Sequence, residues 1–404
     1  MNVIHVYDGH ERVFLGEGSV PSVVYGLAKH MAEKGHDVTV LERRWEGTSY
    51  REEIEGIKFE RFDLSVCSSV SNAEVVYEQI RKPIGVLRLI ADRILFAVKA
   101  NRYIFTNNFD VIHVHLPFSA NVLINLNRKL GRKMVYTAHV GEEKKRFKLG
   151  PIEETPLPLR FSPDLYLMKR IRKSVVLNEP LRKKLIEKGI EEEKIVAIPN
   201  GIETRDFSNN ADNGIKRKYG IEGRVIVMFA GTVTPRKGVY HLVKAAELLK
   251  DYKNTLFLLV GNTKIDRDSS QRLMKYIEDN DLENVKFTGF VPYEDLKELY
   301  STCDIFVLPS LEEGFSVVIT EALASGKPLI GTKVGGIPLQ VKDGWNGFLI
   351  EPANEKQLAE KIRDLIDNPE KRKEMGKNSR KLSEEFDWNK IVDRYLQVYE
   401  EVKG

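Results

Sequence analysis

The stretch "LPSLEEGFSVVITEALASGKPLIGTKVGG", residues 308–336, sets two carboxylates, Glu313 and Glu321, eight positions apart around an apolar run. Core packing calls for neither. The run "DIFVLPS" (304–310) reads as a buried strand, and Gly314 supplies the turn after it. Ser316 is a suitable N-cap for a helix over 317–325, with Gly326 as its C-terminal stop. Val317, Val318 and Ile319 are poor helix formers, so helix propensity did not select this segment. Glu313 then stands in the loop at the helix mouth, and Glu321 lies just over one turn inside. Free N–H groups near Ser316 and Val317 suit a phosphate or a sugar oxygen, while the carboxylates suit hydroxyl groups. Hydroxyl-binding carboxylates beside a phosphate site describe a receptor for a nucleotide sugar.

Outward from this stretch, short β-branched runs recur, each followed by a longer segment of helical period. In the first half they are 3–7, 37–41, 111–115, 133–138, 174–177 and 195–199. In the second half they are 225–231, 255–261, 285–290, 304–310, 328–332 and 347–350. Near-continuous apolar runs suit parallel strands covered on both faces. Val239, Leu242, Val243, Ala246 and Leu249 form the stripe of one covering helix. The pattern predicts an α/β chain of two doubly wound Rossmann-like domains, and 404 residues exceed what one core supports. The Ser/Asn/Asp/Gly-rich segment 201–214 marks the boundary, giving a first domain over 1–205 and a second over 206–385. In the last helix, 386–404, Ile391, Val392, Tyr395, Leu396 and Tyr399 line one face with no strand left to cover. Open α/β sheets bind ligands beyond the carboxyl ends of their strands, so a cleft where two such ends face each other is the expected site.

Composition narrows the class. With 42% hydrophobic and 30% charged residues the chain is a folded protein rather than a disordered one. Its two cysteines, Cys67 and Cys303, lack metal-ligand spacing and fit a reducing compartment. The start "MNVIHVYDGHE" lacks the basic flank of a secretory signal, and the apolar segment 85–105 is broken by Arg88, Asp92, Arg93 and Lys99. A cytoplasmic protein is expected, with no nucleic-acid partner. Net charge is only +4, yet residues 81–102 carry six basic groups against one acid, and 142–184 carry twelve against six. Solvated helix faces are the plain explanation. Arginines interleaved with Leu, Ile and Phe also suit peripheral contact of the first domain with an anionic membrane, or an anionic acceptor.

Two further groups of residues carry chemistry. "FAGTVTPRKG" (229–238) follows a strand and opens the stripe helix. There Gly231 lets backbone approach a ligand, and Arg236 and Lys237 add two cations at a helix start. It lacks the spacing of a P-loop. His139 follows the strand run 133–138, where a polar contact or local base fits better than a metal ligand. His113 and His115 alternate with apolar residues and point to one face, which suits buried, hydrogen-bonded histidines as well as a site.

"EGFSVVITEALASGKPLIGTKVGG" resembles the glutamate-x7-glutamate signature of retaining glycosyltransferases of group one, or family four, which have the GT-B fold. "GHDVTVL", "DVIHVH", "VYTAH", "IPNGIE", "VGN", "GFVPYEDLKELYSTCDIFVLPS", "GWNGFLIEP" and "FDWNKIVDRYLQVYEE" follow in that family's order across almost the whole chain. The resemblance implies a hexosyltransferase acting on a UDP-, GDP- or ADP-sugar, without a cofactor and with metal-independent chemistry. The acceptor would be a glycan, a lipid headgroup or a small molecule such as a polyol. Glu313 would contact donor hydroxyls, the backbone from Gly314 through Phe315 and Ser316 to Val317 would hold sugar and diphosphate, and Glu321 would bind the ribose. Lys237 matches the lysine of the phosphate motif, with Arg236 as a second cation; Thr232 stands where many relatives carry arginine. The segment at Phe290 and Val291 would contact the base, and Gly18 in "GEGSV" would border the diphosphate and acceptor. His139 would border the reaction centre, and the last helix would cross back onto the first domain.

Three other classes compete. In an NAD-dependent oxidoreductase, Glu42 would be the ribose acid after "GEGSVP", but the strand ends near Tyr7, well before Gly16, and Pro21 holds the third glycine position. A metal-dependent transferase would use Asp266 and Asp268, although Ser269 and Ser270 read as a helix start. A non-catalytic nucleotide-sugar-binding protein would not need Glu313, Glu321 and Lys237 together.

Overall fold

The computed structural model describes residues 1–64, 83–139, 162–207, 214–263 and 266–403. Cys67, Arg81, Lys82, residues 142–161 of the second basic stretch and the middle of the linker, 208–213, lie outside them. The chain divides into two compact units, Met1–Gly201 with Trp388–Gly404, and Ile202–Asp387.

The first unit is built on strands β1 (Asn2–Val6), β2 (Asp37–Arg43), β3 (Arg51–Ile54), β4 (Ile57–Phe62), β5 (Val111–Val114), β6 (Met134–Ala138), β7 (Lys173–Val176) and β8 (Ile195–Ala197). They form one sheet in the order β3-β4-β2-β1-β5-β6-β7-β8. Only β3 and β4 pair antiparallel. The winding reverses between β1 and β5, the switch point where such sheets open a crevice. The β3–β4 hairpin was not expected from the sequence. Its turn, Glu55–Gly56, has positive φ at both residues, 49° and 77°, the geometry that suits the strand twist of a two-residue hairpin. β4 alternates buried Ile57, Phe59 and Arg61 with more exposed neighbours, so its apolar signal is half that of a central strand.

The helix Trp388–Lys403 belongs to this unit and buries Ile391, Val392, Tyr395 and Tyr399, with Val398 in place of the expected Leu396. It packs against the helix Ser19–Glu33 and strands β5 and β6. Trp388 sets the fit: a Cβ on Gly26 or Gly201 would come within 2.5 or 2.3 Å of its ring, so both positions need glycine for space rather than for backbone freedom.

The second unit has six strands, β9 (Val225–Ala230), β10 (Thr255–Val260), β11 (Val285–Gly289), β12 (Ile305–Leu308), β13 (Leu329–Thr332) and β14 (Gly347–Ile350). All are parallel in the order β11-β10-β9-β12-β13-β14, so the winding reverses between β9 and β12. β9, β10 and β12 are buried almost throughout, as strands covered by helices on both faces must be.

Candidate functional site

Strand ends β9 and β12 bring the two motifs of the second unit together at its switch point. Lys237 leaves the turn after β9 and donates from Nζ to Glu313 Oε2 at 2.5 Å, in the loop after β12. The Arg236 guanidinium lies 3.8 Å from the other oxygen of Glu313 and donates to the Glu312 carbonyl at 3.1 Å. Leu311 N–H donates back to the Arg236 carbonyl at 2.8 Å, which zips the basic turn to the acidic loop. The Glu313 side chain keeps only 9% of its surface and Lys237 13%, while Arg236 keeps 35%. An ion pair this covered gains from low dielectric, while Arg236 stands at its more exposed rim.

Close backbone approach makes this geometry possible. A Cβ at Gly238 would stand 1.9 Å from the Pro309 carbonyl oxygen, and one at Gly335 would stand 1.5 Å from that of Glu313. Gly335 also has φ of +50°, in the left-handed region. The doublet Gly335–Gly336 after β13 therefore cradles the Glu313 loop, a role not assigned from sequence although "KVGG" was in view. Gly335→Ala should push that loop and lower Tm by about 3–8 °C. Calorimetry of the variant checks this, and an unchanged Tm would show that the loop relaxes freely.

The helix after Glu313 runs Val317–Ala324, with Ser316 Oγ accepting from Ile319 N–H as its cap. One expectation is corrected here. The Ser316 N–H is not free for a phosphate: it donates to Gln340 Oε1 at 3.2 Å, and Gln340 Nε2 donates to the Ser316 carbonyl and to Thr320 Oγ1. Gln340, fully buried, thus splints the helix mouth. Phe315 turns into the core against Phe386, at 5.5 Å between rings, so only its backbone faces the loop.

Glu321 sits inside the helix, 5% exposed, and accepts from Tyr300 Oη at 2.8 Å. Burial raises its carboxyl pKa to about 7, partly opposed by that hydrogen bond. Tyr300 is itself held edge-on by Phe207. At the end of β11, Phe290 is 73% exposed whereas Val291 is 7% exposed, so the aromatic ring rather than Val291 is the surface at that loop.

In the first unit, β1 and β5 align His5 with His113, and the period of two adds His115 on the same face. His139 follows β6. A chain of ring-to-ring hydrogen bonds joins His139 Nε2 to His115 Nδ1 and His115 Nε2 to His5 Nδ1, both at 3.0 Å. His113 is bonded to Tyr399 Oη at 2.5 Å and Thr137 Oγ1 at 2.7 Å. Burial lowers the pKa of His5 and of His139 to about 3 and holds His113 and His115 well below the usual value. His139 retains some exposed surface, but its Nδ1 is covered and without a hydrogen-bond partner, and it is the nitrogens that lose water. Neutral rings allow two consistent proton orders along the chain. In one, His139 donates inward through Nε2 and presents a bare Nδ1 acceptor; in the other it presents an Nδ1–H donor. His5, His113 and His115 are the one grouping of metal-ligating types among the described residues, with ligand atoms within 4.8 Å of one another. Five of their six nitrogens are already spent on the bonds above.

Gly18, with φ of +151°, precedes the helix Ser19–Glu33, and a Cβ there would meet the Glu11 carboxylate at 2.8 Å. The oxidoreductase reading fails at Glu42, which is fully buried and accepts from Arg61 Nε at 2.7 Å and Val13 N–H at 2.8 Å. That carboxylate pins the chain at Val13, ahead of the glycine-rich segment, and is closed to a ribose. Asp266 accepts from Ser269 N–H at 3.1 Å as a helix cap, and Asp268 lies in the first helical turn.

Comparison with known proteins bears on the family and the fold. The model "Glycosyl transferases group 1" matches residues 212–382, and "Glycosyltransferase Family 4" matches 20–206. An uncharacterized glycosyltransferase of Methanocaldococcus jannaschii is 33% identical over 218 residues, 52% of this chain; the match spans only 60% of that relative. Sucrose-phosphate synthase from Thermosynechococcus elongatus has the same fold, with TM-score 0.79 and 21% identity over 100% of this chain and 99% of that one. Anabaena HepE, crystallised with UDP and glucose, aligns with TM-score 0.74 and 21% identity over 99% of both chains. With matched models over both halves and two doubly wound, mainly parallel sheets, the chain belongs to the group 1, family 4 glycosyltransferases of the GT-B fold.

Proposed function

We propose that the protein moves a hexose from a nucleoside diphosphate sugar to an acceptor hydroxyl with retention at the anomeric carbon. The Lys237–Glu313 pair at the β9/β12 switch point carries this reading. Its lysine and the neighbouring Arg236 meet the charge that grows on the diphosphate as the bond from C1 to the phosphate oxygen breaks. The acceptor oxygen bonds to C1 on the face the phosphate leaves, and its proton passes to the departing phosphate oxygen. No enzymic nucleophile is required, so Glu313 orients donor hydroxyls rather than acting as a glycosidase carboxylate. Glu321 accepts from the ribose, the exposed Phe290 ring offers a face to the base, and the backbone of Gly314, Phe315 and Val317 lies along the sugar. His139 contributes a polar contact or local base beside the acceptor, with Gly18 bordering it. A glycan, lipid headgroup or small polyol fits as acceptor.

Thermal-shift screening against UDP-, GDP- and ADP-sugars, with NAD and NADP as controls, tests the reading directly. One nucleotide sugar should raise Tm selectively, and Glu321→Ala should weaken that ligand at least about tenfold, the loss of a charge-assisted hydrogen bond. Undiminished affinity in Glu321→Ala would remove that residue from the site, and stabilisation by NAD alone would overturn the reading.

A further inference from the structure

The helix Pro83–Thr106 presents a surface that the transfer reaction does not use. Its 24 residues make a rod about 36 Å long. The inner face buries Gly85, Phe96, Ala97, Ala100 and Ile104 against the first unit's sheet and core. The outer face is apolar as well. Seven of the seventeen large exposed hydrophobic side chains among the described residues stand on this one helix, including Phe105 at 81%, Leu87 at 67% and Ile84 at 66%. Ile84, Leu87, Ile94, Val98 and Phe105 follow one another at steps that keep one stripe facing outward through the length of the rod. The helix Pro117–Leu126 packs alongside and exposes Phe118 and Leu126 in turn. Scattered exposed apolar residues are ordinary, but a continuous stripe on one element marks a contact surface.

Charge selects the occupant. The helix has a single acid, Asp92, which is fully buried with the Arg43 guanidinium 4.0 Å away, so its outer face bears no negative group. Arg88 and Arg102 are exposed on it. A second copy pairing through the same face would set these arginines against a surface of their own sign, with no acid on either helix to meet them. An anionic lipid surface satisfies both features, taking the apolar stripe into the headgroup boundary and the arginines onto phosphates. No described helix is long and apolar enough to cross a membrane, which leaves an in-plane arrangement.

We propose that the outer face of helix Pro83–Thr106 seats this protein on an anionic lipid bilayer, lying in the interface plane. Neither sugar transfer nor nucleotide binding enters the argument, so the inference stands or falls apart from the proposed reaction. The test is co-sedimentation of the full chain with vesicles of phosphatidylcholine alone or with 30% phosphatidylglycerol, at about 0.1 M salt where charges are felt over roughly 10 Å. Binding should be at least about tenfold tighter to the anionic vesicles. Leu87→Glu and Ile94→Glu, both at exposed positions, should each lower it about tenfold or more with Tm unchanged. Failure to sediment with either vesicle overturns the proposal. So does equal binding to both, or a dimer in light scattering that Leu87→Glu dissociates, which would assign the face to a second copy.

Discussion

Lys237→Met is expected to cut the turnover of sugar transfer by about 10²- to 10³-fold, the range found when one preorganised group that meets transition-state charge is removed. Methionine keeps most of the lysine stem, so the stripe helix below should hold its packing. The electrostatic consequence is twofold. On the proposed reading the leaving diphosphate loses a cation, and Glu313, with 9% of its side chain exposed, loses the 2.5 Å partner that compensates its charge. Arg236 at 3.8 Å and the Ser310 hydroxyl at 3.4 Å remain, so the loop should stay folded with a modest fall in Tm. Lys237→Arg keeps the charge but spreads it over a planar fork that does not fit a point contact, and should recover part of the loss. A double-mutant cycle with Glu313→Gln separates the roles. If Lys237 only balanced Glu313, the double variant would recover to the turnover of Glu313→Gln alone; if Lys237 serves the diphosphate independently, the double variant is slower than either single one. Full activity in Lys237→Met would leave the pair a structural contact and move the phosphate site elsewhere.

How far the sequence carried these assignments depends on the range of the interaction. Glu313, Lys237 and the cap Ser316 were legible because strand, turn and helix starts are written locally, and all twelve anticipated strand runs correspond to strands. Partners distant along the chain were not. Gln340 takes the Ser316 amide from 24 positions away, and Tyr300 reaches Glu321 from 21. Local periodicity says nothing of either contact. The alternation of His113 and His115 gave a shared face, but not that parallel pairing with β1 would set His5 opposite His113. The β3–β4 hairpin was missed because charged residues dilute its alternation, although a Glu–Gly pair between apolar residues was present as a turn signal.

That histidine cluster sets the second large effect, a steep loss of stability in mild acid. His5 and His139, with pKa lowered to about 3, and His113 and His115, also well below the usual value of about 6.5, stay neutral in the folded chain when the unfolded chain has taken up protons. Between those values the unfolded state binds more protons. The contribution is therefore complete above about pH 6.5 and is lost as pH falls toward the folded values. Each such histidine costs about 1.4 kcal/mol per pH unit in that window, and four would cost at most about 5.5 per pH unit. The ring-to-ring bonds couple them, so the slope lies below the sum. Against a typical total of about 5–15 kcal/mol, the uncoupled slope would consume the stability over about one to three pH units, and the coupled cluster needs a wider fall than that. Glu321 acts in the second unit with the opposite sign. Its folded pKa of about 7 exceeds the unfolded value, so its contribution is present below about pH 4.5 and lost as pH rises through 7. One carboxyl cannot offset four histidines, and it belongs to the other unit. Calorimetry from pH 7.5 to 5 should show one transition falling steeply while the other holds or rises slightly. His5→Phe, which removes one titrating ring and its unpartnered Nε2, should flatten the first slope by about one proton per molecule. Two transitions that fall in parallel, with a slope unchanged in the variant, would place the acid sensitivity in other groups.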